Sequence, residues 1–340
     1  MNFASDNITG THPDILQRIV AENGGAALPY GDDAYTATVG ETFRNVFEAD
    51  LDVMMVATGT AANALALACV VPNYGALFCR RGAHLEASEG GAIEHLTGGA
   101  RLVLLDAVDG KLDAKALDAA IRGYSPSARF FRPSAISITQ ATELGTVYSL
   151  AEIAAIAEVA HRHGMKLHVD GARWSNAIVS LGCSPAEMSW KAGVDILSFG
   201  ATKNGALAAE AVLFFDKRLL AGAAERRKKA GMLFSKHRFL AVQWDAFFAD
   251  DLWLRLARLA NEKATALGDG LRRIDGAEVP HPVEANEVFV KLSEPAIDRL
   301  GAEGFQFYRR GGGVIRLVTS YETTDAEVAQ FVSAVKKHLG

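Results

Sequence analysis

Two short stretches carry side chains that can act together on one small molecule: Val169-Asp170-Gly171-Ala172-Arg173 and Ser198-Phe199-Gly200-Ala201-Thr202-Lys203. Each continues an apolar run of strand type, Met165 to Val169 for the first and Val194 to Ser198 for the second. A carboxylate at one strand end and an amine at the next make a complementary pair. The amine can hold an aldehyde as a Schiff base, while the carboxylate keeps a ring nitrogen protonated. Such an amine works only if part of its population is neutral, which a desolvated site beside other cations arranges. Taken singly, Asp170 is a helix cap and Lys203 a surface lysine. In consecutive strand–loop units the joint reading, a pyridoxal phosphate site, is the stronger one.

Other residues have types that would complete such a site. Thr58-Gly59-Thr60-Ala61-Ala62-Asn63 lies where a strand meets a helix, so exposed N–H groups, a glycine and threonine hydroxyls can cradle a phosphate. Asn63 can add an amide, or simply face solvent on its helix. His84 follows a strand and precedes Glu89-Gly90-Gly91. Its imidazole can stack on a pyridine ring and move protons, with Glu89 orienting it or meeting the ring's phenolic oxygen. An ordinary loop histidine is the plain alternative. Arg173 and Arg316 can clamp a carboxylate through parallel N–H donors. Arg316 interrupts the apolar run Val314-Ile315-Arg316-Leu317-Val318, so it is either well paired or functional. His168 alternates with core residues and reads as a satisfied buried histidine.

The elements that must position these residues alternate in type. Val53 to Ala57, Ala76 to Cys79, Leu102 to Leu105, Ala135 to Ile138, Leu167 to Val169, Ile196 to Phe199 and Val212 to Phe215 read as strands. Between them lie helices with readable starts, such as the capping box Ser149-Leu150-Ala151-Glu152 and Ser184-Pro185-Ala186-Glu187. That order implies βαβ units and an α/β fold with a mostly parallel central sheet. After about residue 245 the pattern changes to a long amphipathic helix, Asp250 to Leu271, then strands at Glu287 to Leu292 and Val314 to Thr319, and a last helix from Thr324. Residues 1–249 are thus expected to form a large domain and residues 250–340 a smaller α+β domain. Gly311-Gly312-Gly313 reads as a loop.

Composition narrows the function classes. A chain of 340 residues, 49% of them hydrophobic, can bury a sizeable core. Its 35 basic and 40 acidic residues, net −5 without long runs, argue against nucleic-acid and membrane partners. Arg226-Arg227-Lys228-Lys229 reads as a solvated helix face. The first residues lack a basic region followed by an apolar one, and Cys69, Cys79 and Cys183 are scattered. Together these favour a cytoplasmic protein with reduced thiols and no metal site.

In this order, Ser5-Asp6-Asn7, Tyr30-Gly31-Asp32-Asp33, Thr58 to Asn63, His84 with Glu89, Val169 to Arg173, Lys203 and Ile315 to Thr319 resemble the L-threonine aldolases. These are pyridoxal phosphate enzymes of the aspartate-aminotransferase fold within the β-eliminating lyases. Asn204-Gly205 and Leu233-Phe234-Ser235-Lys236-His237-Arg238 are closest to the low-specificity and phenylserine-aldolase branch. The resemblance implies that Lys203 carries the cofactor, Asp170 pairs with its ring nitrogen and His84 stacks on the ring. It further implies that Gly59 and Thr60 hold the phosphate, helped by Lys229 or Lys236 of a neighbouring subunit, and that Ser5, Arg173 and Arg316 bind the substrate carboxylate. A homotetramer, a dimer of dimers with sites at subunit interfaces, is implied as well. One departure stands out. Many relatives place a histidine near the substrate β-hydroxyl just before the strand Ala135 to Ile138, whereas this chain has Arg129-Phe130-Phe131-Arg132-Pro133. Phe130 or Phe131 is expected either to make that wall apolar or to face the core.

The expected reaction is retro-aldol cleavage of an L-β-hydroxy-α-amino acid (L-threonine, L-allo-threonine, L-phenylserine) to glycine and an aldehyde. An aminotransferase, a β-eliminating lyase and a catalytically silent protein of the same fold are the alternatives.

Overall fold

The computed structural model describes residues 1–339 except Ser125, Pro126 and Ala128. The seven sequence-predicted strands of the first part all form: β1 (Asp52–Val56), β2 (Gly75–Arg80), β3 (Arg101–Leu105), β4 (Arg132–Thr139), β5 (Lys166–Gly171), β6 (Ile196–Gly200) and β7 (Glu210–Phe214). They make one sheet in the order β1-β7-β6-β5-β4-β2-β3. All neighbours pair in parallel except β7, which runs antiparallel to both β1 and β6. Residues of β6 and β7 are buried throughout, as expected for strands covered by helices on both faces.

Register sets the site. Thr139 pairs with Asp170, and Asp170 with Ser198, so the carboxyl ends of β4, β5 and β6 lie abreast. In open α/β sheets this edge is where ligands bind. Two glycines allow the close packing there. A Cβ on Gly200 would meet Glu210 Oε2 at 2.8 Å, and Gly205, at φ +101°, turns the chain away just after Lys203.

A second sheet, β8-β10-β9, comprises β8 (Glu287–Lys291), β9 (Tyr308–Gly311) and β10 (Val314–Val318). The glycine run is more than a loop: Gly311 ends β9, and Gly312 and Gly313 turn the hairpin into β10 at φ +61° and +75°. The helix Leu252–Arg272 spans the two cores, with Leu252, Trp253 and Leu256 in the large one and Ala264, Leu267 and Leu271 in the small one. The chain's first residues pack with the small sheet: Asn2 bridges Gln306, and Phe3 is buried against Phe331. Among the described residues no helix is long and apolar enough to cross a membrane.

Phe130 and Phe131 precede β4, at the end of the sheet opposite the site edge. Phe130 is 55% exposed, and Phe131 packs partly against the core under Arg101. Neither belongs to the cavity at the carboxyl end, so the expectation of a pocket wall is corrected: a strand of eight residues separates them from it.

Beneath β6, Phe199 is fully buried among Phe43, Phe47, Trp244, Phe247, Phe248 and Trp253, with ring centroids 5.0–6.5 Å away. Phe199→Ala is expected to destabilise the fold by about 3–5 kcal/mol, because rigid neighbouring rings cannot close the cavity. Urea denaturation checks this, and a loss under about 1 kcal/mol would show the cluster to be malleable.

Candidate active site

Asp170 ends β5 and is buried. Its Oδ1 accepts the Ala172 N–H at 3.0 Å and its Oδ2 the Asn63 amide at 2.9 Å. Asn63 is buried too, and the same amide donates to Glu89 Oε1 at 2.8 Å. His84 opens a short helix after β2, and its Nδ1 lies 2.9 Å from Glu89 Oε1. The Glu89 hydrogen bond raises the His84 pKa, with burial opposing. One ligand atom each of His84, Glu89 and Asp170 lies within 4.8 Å of the others. Lys203 follows β6 and, among the described residues, makes no hydrogen bond or ion pair through its amine. Lys203, Asp170 and His84 line one cavity of about 660 Å³.

Across that cavity the arginines are held by acids. Arg173 Nε and Nη2 donate to the two oxygens of Asp6 at 2.8 and 3.0 Å, and its Nη1 lies 3.3 Å from Glu287 Oε2. Arg316 Nη1 contacts Glu287 Oε1 at 3.2 Å and its Nη2 donates to the Ala4 carbonyl. Burial would raise Asp6, but Arg173 and Lys203 outweigh it and hold the carboxyl below its usual range. Burial would lower Arg173, yet Asp6 and Glu287 hold it above the ordinary guanidinium value. Arg316 is drawn down by its burial, with Glu287 opposing. Arg316 is therefore both well paired and placed on the cavity wall, where Ser5 also lies. Its Nε is buried with no partner among the described residues.

Thr58, Gly59 and Thr60 are not in this wall. They start the helix Gly59–Val70, with Thr58 capping the Ala61 N–H, and Asn63 on the same helix hydrogen-bonds Asp170. Lys229 and Lys236 are exposed and do not line the cavity of their own chain. His168 is the satisfied core histidine expected, flanked by Ser137 and Ser198 at 2.8 and 3.0 Å, and burial lowers it to about 4.

Some participants lay outside the sequence reading. Glu210, on β7, is buried, and burial raises it to about 7, with Thr202 and the charge of Lys203 opposing. Its only signal is an acid heading an apolar strand. Glu287 heads β8 in the same way. Glu143, in the turn after β4, had no signal at all.

The donor set fits pyridoxal phosphate. An unpaired lysine amine and a carboxylate face one cavity, a histidine ring stands beside them, and helix N–H groups are close by. Asn63 Oδ1 and Glu89 Oε2 are also buried without partners among the described residues, as expected of groups that meet a ligand.

A seven-stranded α/β sheet with a lysine and an acid at adjacent strand ends is the architecture of the aspartate-aminotransferase type. Aspartate aminotransferase from Thermus thermophilus shares that fold at a TM-score of 0.74 and 14% identity, over 99% of this chain and 91% of that one. The Leishmania major threonine aldolase structure superposes at a TM-score of 0.92 with 28% identity, over 100% and 99%. Low specificity L-threonine aldolase of Pseudomonas aeruginosa is 43% identical over 340 residues, 99% of this chain and 98% of the relative. The β-eliminating lyase family model matches residues 2–295. The chain belongs to the β-eliminating lyase family, in its L-threonine aldolase branch.

Two predictions follow from the buried charges. Asp6→Ala strands Arg173 beside Glu287 alone and should cost about 3–5 kcal/mol in chemical denaturation, the range for breaking a buried pair. An exposed pair would lose under about 1 kcal/mol. Glu210 keeps its proton in the folded state between pH 4.5 and about 7 while the unfolded chain releases it, so it makes stability fall as pH rises through that window. In cofactor-free protein, Glu210→Gln should therefore gain more in Tm over the parent at pH 8 than at pH 5. An equal difference at both pH values would refute the assignment.

Proposed function

We propose that this chain is a pyridoxal-phosphate-dependent aldehyde-lyase. It would cleave the Cα–Cβ bond of L-β-hydroxy-α-amino acids, L-threonine, L-allo-threonine and L-phenylserine among them, to glycine and an aldehyde. One observation carries the reading: Lys203 and Asp170 face the same cavity as two arginines suited to a carboxylate. The name of the Pseudomonas relative supports the reaction class.

Lys203 would hold the cofactor's aldehyde carbon, Asp170 its ring nitrogen and His84 a ring face. Gly59, Thr60 and the helix they open would meet the phosphate, with Lys229 or Lys236 reaching over from a neighbouring subunit. When bound, the cofactor supplies an electron sink for the pair released at Cα. The protein decides which bond breaks. Arg316, through its free Nε–H, with Arg173 and Ser5, would fix the substrate carboxylate and so turn the Cα–Cβ bond into line for cleavage. Lys203, once displaced by the substrate amine, is the group at hand to return a proton to Cα. Leu144, Phe289 and Tyr308 supply apolar wall for the β-substituent, the part first given to Phe130 and Phe131.

We further propose a cytoplasmic homotetramer built as two dimers. Leu16, Val20, Leu28 and Phe234 are large apolar side chains left exposed on one chain, and Lys229 and Lys236 point to a shared site.

Aldehyde release from the three substrates, with glycine formed in equal amount, tests the reading; amino transfer to pyruvate without glycine would overturn it. Lys203→Ala should abolish turnover and the borohydride-reducible adduct. Asp170→Asn should keep the fold and lower turnover by roughly 10³–10⁴-fold, the scale known for an orienting carboxylate. Near-normal turnover with L-threonine would count against its role.

A further inference from the structure

The carboxylate Glu143 sits in a turn built to hold it still. After β4, Thr142 and Thr146 join through their hydroxyls at 2.7 Å, and the Thr146 hydroxyl donates to the Asp109 carbonyl. Gln140 and Tyr148 close the base of the turn with two side-chain-to-backbone hydrogen bonds of 2.9 Å. The Val147 N–H donates to Glu284 Oε2 at 2.7 Å. The side chain at the tip is therefore preorganised.

Its two oxygens are unequal. Oε1 accepts the Thr139 hydroxyl at 2.7 Å and the backbone N–H of His84 at 3.0 Å. Among the described residues, Oε2 has only Arg80, at 3.4 Å. The side chain is 20% exposed, and that exposure faces the cavity it shares with His84, Lys203 and Arg316. One oxygen is anchored and the other keeps lone pairs toward the substrate space. Thr139, its anchor, pairs with Asp170, so the carboxylate is tied to the sheet edge that bears the ring-nitrogen acid.

We propose that Glu143 is the catalytic base that takes the proton of the substrate β-hydroxyl. This rests on the retro-aldol reading above. As the hydroxyl proton moves to Oε2, the O–H electron pair becomes the second bond of the departing aldehyde's carbonyl. The Cα–Cβ pair stays with the glycyl fragment and is quenched by a proton at Cα. Glu143 then returns its proton to water at the cavity mouth.

Burial raises the Glu143 carboxyl, and its hydrogen bonds with Thr139 and His84 and the charge of Arg80 oppose that. The other titratable neighbours are the His84 ring and the Cys79 and Tyr148 groups. Burial pushes both of the latter far up, so they stay neutral near pH 7, while Asp170, Lys203, His281, Glu287 and Arg316 face Glu143 from the rest of the cavity wall. An acid with a raised pKa is suited to exchanging protons near neutrality.

The test compares wild type, Glu143→Gln and Glu143→Asp. Glutamine keeps an oxygen for Thr139 and the His84 N–H but cannot take a proton. We expect Glu143→Gln to lose about 10²–10⁴-fold in kcat for L-threonine cleavage, the range for a general base, and to lose the acid limb of kcat/KM. Binding of glycine by equilibrium dialysis, the Tm of the cofactor-free protein, and exchange of the glycine α-hydrogen should stay near wild type, since none of them needs a β-hydroxyl proton removed. Cleavage within about threefold of wild type overturns the proposal, as does equal loss of cleavage and glycine exchange. If Glu143→Gln does not fold, Glu143→Asp decides. A cleavage loss of tenfold or more with the acid limb and glycine exchange kept supports the base, and equal losses overturn it. Absence of cleavage in wild type would instead sink the retro-aldol reading.

Discussion

Four charges, the buried Asp6, Arg173 and Glu287 and the half-buried Arg316, hold the site together. Each arrives on a different element: a turn near the N-terminus, the cap of the helix that follows β5, β8 and β10. Their sum is zero, which is what makes burial of all four tolerable; any three would leave a net charge away from water. Asn286 donates to Asp6 as well, at 3.0 Å, and locks the small sheet into the same knot. The network thus does two jobs through the same atoms. It joins the two sheets and fixes the planes of both guanidinium groups on the cavity wall.

That double duty explains the electrostatic layout of the cavity. The arginine side is neutralised internally, since the positive charges of Arg173 and Arg316 are met by Asp6 and Glu287. The lysine side is different. Asp170 is held by uncharged donors, and Lys203 has acids near it without a direct ion pair.

The parts of this design legible in the sequence are those written locally. Alternation of apolar runs and capping signals located the main strands, and Asp170 and Lys203 announced themselves by standing at the ends of two such runs. β9 escaped because Tyr308-Arg309-Arg310-Gly311 is exposed along its length and carries no buried face to read. Asp6, Glu143, Glu210 and Glu287 escaped as functional side chains for a different reason. An acid's burial depends on which distant strands close over it, and no spacing along the chain records that. The placement of Phe130 and Phe131 shows the same limit in reverse: the strand was found, but which of its ends opens on the cavity is a property of the sheet.

The tie between Asp6 and Asn286 spans 280 residues, and Asn2 meets Gln306. At synthesis speeds of about 5–20 residues per second, the N-terminal turn emerges from the ribosome roughly 15–60 s before its partners do. During that interval the large sheet can fold, since its core is built from residues of its own, while the turn has nowhere to dock. Docking of the N-terminal turn therefore waits for β8 and β10, and a nascent chain halted between β7 and β8 would carry all seven strands of the large sheet beside a half-built cavity.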